Sequence, residues 1–251
     1  MLKETTQIAK DAGKILMNYY GKKTEAKYKN DGYFDAGSIV SKADKKTEAF
    51  IVSRLKKLFP DHGIYSEEIG WINKKSDYTW YIDPLDGTSN FLRNIPLFGI
   101  SIGLLYKDKP FLGVLYFPAL DLIVYAEKGK GAYANSKKIH VSKRKLNESL
   151  YYAGGYYRGK TNLNKKIADK VGLVKTIDST SHELAQIAMG DAELYELRNS
   201  IHDVAAGIII VEEAGGKTTD EKGNEWTPKS KHVVISNGII HKDVINILKK
   251  S

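Results

Sequence analysis

The sequence predicts two joined halves of different architecture: an α+β half over residues 1–138 and an α/β half over residues 139–251. Three observations carry this. Between Gly99 and Ala126, short apolar runs are separated by tight turns such as KDKP and FPALD, the pattern of antiparallel strands joined in hairpins. Past about Ala134, runs of strand length alternate with stretches of helical spacing, the pattern of α/β units. The rhythm changes within the connection AYANSKKIHVSK, at about residues 135–145.

In chain order, residues 3–20 read as an amphipathic helix, with Ile8, Ala12, Ile15, Leu16 and Tyr19 at helical spacing. Residues 22–38 are charged, punctuated by glycine and aperiodic, so they read as a loop or hairpin. A second helix, about Ala43–Phe59, carries Phe50, Ile51, Leu55 and Leu58 and stops before Pro60. Strands follow around Ile64–Tyr65 and at Thr79–Ile82, Gly99–Tyr106, Phe111–Phe117 and Leu122–Ala126. The second half adds strands at Leu150–Ala153, Val174–Ile177 and Val233–Ser236. Its helices fall near Leu163–Val171, Ser181–Met189, Ile201–Ala214 and His241–Lys249, the third closed by Gly215-Gly216.

Composition narrows the chemistry. A chain of 251 residues, 42% hydrophobic, can bury an extensive core. No apolar run approaches the roughly 18 residues of a membrane helix. The first twenty residues lack the basic head and continuous apolar run of a signal peptide, so a cytoplasmic protein is expected. Cysteine is absent, which excludes disulfides, thiolate metal sites and cysteine nucleophiles. Any metal is then held by oxygen or imidazole, which suits a hard cation. The net charge of +9 is spread over dispersed lysines, and no nucleic-acid motif accompanies the one basic tract, NSKKIHVSKRK. No Cys, three Met and abundant Lys lean towards a thermophile composition.

The stretch WYIDPLDGTSNF, Trp80–Phe91, holds two aspartates three residues apart. Pro84 bars a regular helix across Asp83 and Asp86, so both carboxylates can point one way from an irregular turn. Adjacent anions repel unless a cation sits between them, and the Leu85 carbonyl offers a third oxygen. Gly87 lets backbone approach a ligand, and Thr88-Ser89-Asn90 open a helix whose free N–H groups attract phosphate. A plain helix-capping turn uses the same residue types. Three further acids sharpen the choice: Glu67 after a short strand, Asp44 at a helix start and Asp203 before the apolar run of IHDVAAGIIIVEEAGG. Singly, Asp44 and Asp203 read as helix-start acids and Glu67 as a solvated edge residue.

Together, WYIDPLDGTSNF, the preceding SEE, VSKAD at residues 40–44 and HDVAAGIIIVEEAGG resemble the inositol monophosphatase family over nearly the whole chain. The resemblance implies a layered αβαβα sandwich and a magnesium-dependent, lithium-sensitive phosphomonoesterase that works as a homodimer on a small phosphate ester. It implies two or three Mg²⁺ per site, held by Glu67, Asp83, the Leu85 carbonyl, Asp86 and, from the second half, Asp203. Asp44 would pair with Thr88 to orient the attacking water, with Glu67 the third catalytic group. Gly87, Thr88 and Ser89, beside Asp86, would cradle phosphate, and Glu196 would take substrate hydroxyls. His202 stands where many relatives have Trp, and Lys27 or Lys29 would be the lysine near a third metal. Archaeal-type members act on both inositol phosphate and fructose 1,6-bisphosphate, with Arg198 and Arg158 candidates for the distal phosphate. Two alternatives stand beside this: 3′-phosphoadenosine 5′-phosphate as substrate, or a regulatory role of the extragenic-suppressor type on transcription or RNA machinery.

Overall fold

The computed structural model describes residues 1–22, 42–67, 69–153, 156–157, 160–161, 164–198 and 200–249. Helix α1 (Leu2–Met17) lays Ile8, Ala9, Ala12 and Leu16 towards the interior, and α2 (Lys42–Leu58) buries Ile51, Val52 and Leu55 beside it. Strands β1 (Gly63–Ser66), β2 (Gly70–Ile72) and β3 (Tyr78–Asp86) lead to the short helix α3 (Thr88–Leu92). Then come β4 (Gly99–Tyr106), β5 (Lys109–Phe117), β6 (Leu122–Glu127), β7 (Ala132–Ala134) and β8 (Lys137–Lys138). These form one eight-stranded sheet in the order β2-β1-β3-β4-β5-β6-β7-β8. Its neighbours pair antiparallel, as the hairpin pattern predicts, except for the parallel pair β1–β3.

The rest of the chain supplies β9 (Leu150–Tyr152), the small ladder of β10 (Tyr156–Tyr157) and β11 (Lys160–Thr161), α4 (Lys165–Ala168) and β12 (Leu173–Lys175). It continues through α5 (Thr180–Met189), β13 (Leu194–Arg198), α6 (Ile201–Glu213), β14 (Lys217–Thr219), β15 (His232–Ser236) and α7 (His241–Lys249). A second sheet runs β12-β9-β13-β15-β14.

Three apolar clusters set the layers. Helices α1 and α2 pack on one face of the large sheet through Leu16, Ile51, Leu55, Trp80 and Ile82. On its other face, α5 and α6 fill the space between the two sheets, with Leu115, Phe117, Leu184, Ile208, Val211 and Ile235 in one core. Helices α4 and α7 close the outer face of the small sheet around Tyr151, Ile167, Val234 and Val244. The result is the expected αβαβα sandwich. Among the described residues no helix is long and apolar enough to cross a membrane.

Two glycines let α6 settle onto the large sheet. A Cβ on Gly103 would lie 2.6 Å from the Ala206 nitrogen, and one on Gly113 would lie 2.3 Å from the Ala206 oxygen. Both are closer than any side chain tolerates, so glycine fixes how near the Ala206 turn of α6 comes to β4 and β5.

Local differences from the sequence reading have physical causes. The expected helix at 163–171 shrinks to the four residues of α4, which bury Ile167 alone. Strand β3 continues through Pro84 to Asp86, because the register with β4 shifts between Asp83 and Asp86 and so accommodates a residue without an N–H. Strand β13 carries the buried Glu196 at its centre, so the apolar pattern that marks a strand is interrupted there. Residues 23–41, which include Lys27 and Lys29, and Arg158 lie outside the described residues.

Candidate active site

Four elements from both halves converge on Asp83. It ends the regular part of β3, is only 3% exposed, and accepts the Leu85 N–H at 3.0 Å on Oδ1. Burial, and then the negative charges of Glu67, Asp86, Asp203 and Asp44, hold its carboxyl well above the ordinary range. The five acids singled out in the sequence thus act on one another's charge, with burial the larger effect on Asp83. Asp44 reaches it from the first turn of α2 and is itself buried; Glu67 follows β1 and is exposed; Asp203 stands in the first turn of α6.

Asp86 is also buried, and its carboxyl is pushed up to about 6 by burial and by the Asp203 charge, against the pull of Ser179 and Ser181. The N-terminal turn of α5 grips it. Oδ1 accepts the Thr180 N–H at 3.1 Å, and Oδ2 accepts the Ser181 N–H at 2.9 Å together with the hydroxyls of Ser179 and Ser181. Helix N-termini favour negative charge, so the grip is electrostatically matched. The sequence reading missed these three residues. The signal was present: Ser179-Thr180-Ser181 opens an apolar helical stretch, the usual signature of a helix start.

Gly87 has φ +79°, and a Cβ there would sit 2.7 Å from the Leu97 oxygen. Glycine therefore makes the turn that launches α3 beside Asp86. The Thr88 hydroxyl donates to the Leu85 carbonyl at 2.8 Å. Its single proton is committed to the Leu85 carbonyl in this structure. Ser89 donates to Asp178, and Asn90 ties the turn to both halves through the Leu97 and Ile177 oxygens, each at 2.8 Å. Asp178 takes φ +63°, a left-handed conformation that aspartate tolerates better than most residues.

Glu196 in β13 is 8% exposed, accepts the Tyr151 hydroxyl at 3.2 Å, and has its carboxyl raised chiefly by burial. Arg198 follows two residues later at the end of the same strand. His202 does more than pack: its Nε2 lies 3.1 Å from Asp203 Oδ1 and 3.3 Å from the Ser200 hydroxyl.

As they stand, the described residues contain no group of three or more His, Asp and Glu side chains that could hold a metal ion. The geometry explains why. Asp86 is turned to α5, Asp83 to the Leu85 N–H and Asp203 to His202. A cluster of repelling carboxylates, of which Asp44, Asp83 and Asp86 are buried, nevertheless fits a hard cation, which would relieve the repulsion that adds to burial in raising Asp83.

Compared with known proteins, the chain matches the profile of the inositol monophosphatase family over residues 1–251. The chain belongs to the inositol monophosphatase family. As a member it is a phosphoric monoester hydrolase of a metal-dependent family. A fructose-1,6-bisphosphatase/inositol-1-monophosphatase of Thermotoga maritima is 33% identical over 246 residues, covering 97% of this chain and 94% of that one. An inositol-1-monophosphatase of Mesorhizobium japonicum is 32% identical, covering 100% of this chain and 96% of that one. Among solved structures, the extragenic suppressor protein suhB of Bartonella henselae superposes with a TM-score of 0.89 at 31% identity, covering 99% of this chain and 98% of that one. The chain is thus similar both to proteins named as phosphatases and to one named as an extragenic suppressor.

Proposed function

We propose that this chain hydrolyses phosphate monoesters of polyols, inositol 1-phosphate and fructose 1,6-bisphosphate, with Mg²⁺ at the carboxylate cluster. The observation that carries the reading is the convergence of Glu67, Asp86, Asp203 and Asp44 on buried Asp83, directly beside the Gly87 turn. Glu67, Asp83, Asp86, Asp203 and the Leu85 carbonyl would hold two or three ions. Bound there, Mg²⁺ supplies an acidified water and neutralises charge on the leaving oxygen.

The chain's own groups do the rest. The backbone from Gly87 to Ser89 offers N–H groups at the opening of α3 to the phosphate oxygens. Thr88 and Asp44 would orient the attacking water, Thr88 by exchanging its bond to Leu85 for one to that water. Glu196, stiffened by Tyr151, receives substrate hydroxyls. Arg198 would meet a second phosphate, since a guanidinium matches phosphate in a bidentate fashion. The working unit would be a homodimer, which sedimentation velocity checks.

A panel of esters with Mg²⁺ tests the substrate. Inositol 1-phosphate and fructose 1,6-bisphosphate should both release phosphate faster than 3′-phosphoadenosine 5′-phosphate. Arg198→Ala should lower kcat/KM on the bisphosphate about tenfold more than on inositol 1-phosphate, the scale of one charged phosphate contact. Equal loss on both removes the bisphosphate from the reading. The likeness to the Bartonella suppressor protein favours a second, regulatory reading, and silence on every ester would leave that one standing.

A further inference from the structure

A recess of about 680 Å³ opens on the α6 side of the large sheet, and neither Gly87 nor Glu196 lines it. Its back wall is three rings on adjacent strands: Tyr65 of β1, Trp71 of β2 and Tyr81 of β3. They meet at 49°, 56° and 80°, so none is stacked on another. Trp71 is a large apolar side chain that is 42% exposed, in a place where a satisfied core ring would be covered.

The rim is cationic and polar. Lys74, Lys107 and Lys229 line it, with the Ser76 and Thr79 hydroxyls between. The Lys74 ammonium sits 5.1 Å from the centre of the Trp71 ring, and Lys107 pairs with Asp77 at 3.5 Å across the rim. Asp108 supplies a further acceptor on the same edge.

The volume falls in the range of small-ligand sites, and unstacked rings beside ammonium groups suit a flat base joined to an anion. An inorganic anion would leave the rings unused, and an apolar ligand would leave the lysines and hydroxyls unused. We infer that this recess binds a mononucleotide, with the base on the Tyr65–Trp71–Tyr81 wall, the phosphate on the lysines and the ribose hydroxyls on the Asp108 edge. The site is separate from the phosphatase reading and does not rest on it. It lies close to that site all the same, since Tyr65, Tyr81 and Ile201 of its lining stand two residues before Glu67, Asp83 and Asp203.

The test needs no turnover. Of the three tryptophans, Trp80 and Trp226 are buried, so a ligand in the recess changes the emission of Trp71. The probe is cyclic adenosine 3′,5′-monophosphate, a phosphodiester that a monoesterase leaves intact, with adenosine and inorganic phosphate in parallel titrations. The expected result is saturable quenching by the nucleotide, about tenfold weaker binding of adenosine, and no quenching by phosphate. The double variant Lys74→Ala/Lys229→Ala, at two exposed positions, should weaken nucleotide binding about tenfold and leave adenosine within about twofold. No saturation below about 10 mM nucleotide, or quenching that survives unchanged in the lysine variant or in Trp71→Phe, would overturn the site.

Discussion

Ser181 donates its backbone N–H to Asp86 Oδ2 at 2.9 Å, across the seam between the two sheets. The bond joins the last residue of β3 to the first turn of α5, and Ser179, Thr180 and the Ser181 hydroxyl add to it. A buried carboxylate is thereby fixed in direction before any ligand arrives. Helix α5 belongs to the half that also supplies Glu196 and Asp203, so this contact sets the two halves of the site against each other.

Removing the hydroxyls tests that link. Ser179→Ala/Ser181→Ala leaves Asp86 with backbone donors only, and should cost about 2 kcal/mol of stability, the scale of hydrogen bonds to a charged group. It should also weaken Mg²⁺ binding, read by calorimetric titration of the metal into the protein. Unchanged urea melts and unchanged metal affinity would show that the backbone N–H groups suffice.

A second prediction concerns Glu183 on α5. It is buried, accepts the Ile177 N–H at 3.0 Å, and is raised by burial from 4.5 to about 8. Between those values the folded chain keeps the proton and the unfolded chain releases it, so stability falls as pH rises through the window and levels off above it. The slope is at most about 1.4 kcal/mol per pH unit. Glu183→Gln keeps the acceptor and removes the proton linkage. Urea melts should find variant and wild type alike near the lower edge of the window, with the variant increasingly the more stable towards pH 8.

Asp83 yields a prediction of opposite sign for stability and activity. Its folded carboxyl is raised well above 3.8, so at neutral pH the metal-free fold bears the cost of holding it. Asp83→Asn removes that cost and still accepts the Leu85 N–H. In chelator at pH 7 its melting temperature should rise by about 2–4 °C, equivalent to about 1 kcal/mol in a chain of this size. The gain should vanish below the ordinary aspartate range, where the carboxyl is neutral in both states. A lower melting temperature in chelator would mean that neither burial nor repulsion burdens the Asp83 charge.

Much of this was legible in the sequence because it depends on local signals. Pro84 and Gly87 mark the turn, Asp44 and Asp203 stand at helix starts, and the apolar runs of β4 and β5, split by a tight turn, mark the sheet. Less legible was whatever depends on a partner distant in the chain. The Ser181–Asp86 contact spans 95 residues, and neither serine says which carboxylate it will meet. The sequence does not name the acceptor of the Thr88 hydroxyl, and only the fold puts the Leu85 carbonyl in line. Strand β13 hid because burying Glu196 broke its apolar pattern, although the family resemblance had already singled out that carboxylate.

Phosphate release from inositol 1-phosphate, by wild-type and Asp83→Asn chains side by side in Mg²⁺, tests the central claim most directly. Steady release by the wild type, reduced about thousandfold or more in Asp83→Asn, is the result expected of a metal-holding carboxylate at the reacting centre. Release at the same rate in both chains would contradict it.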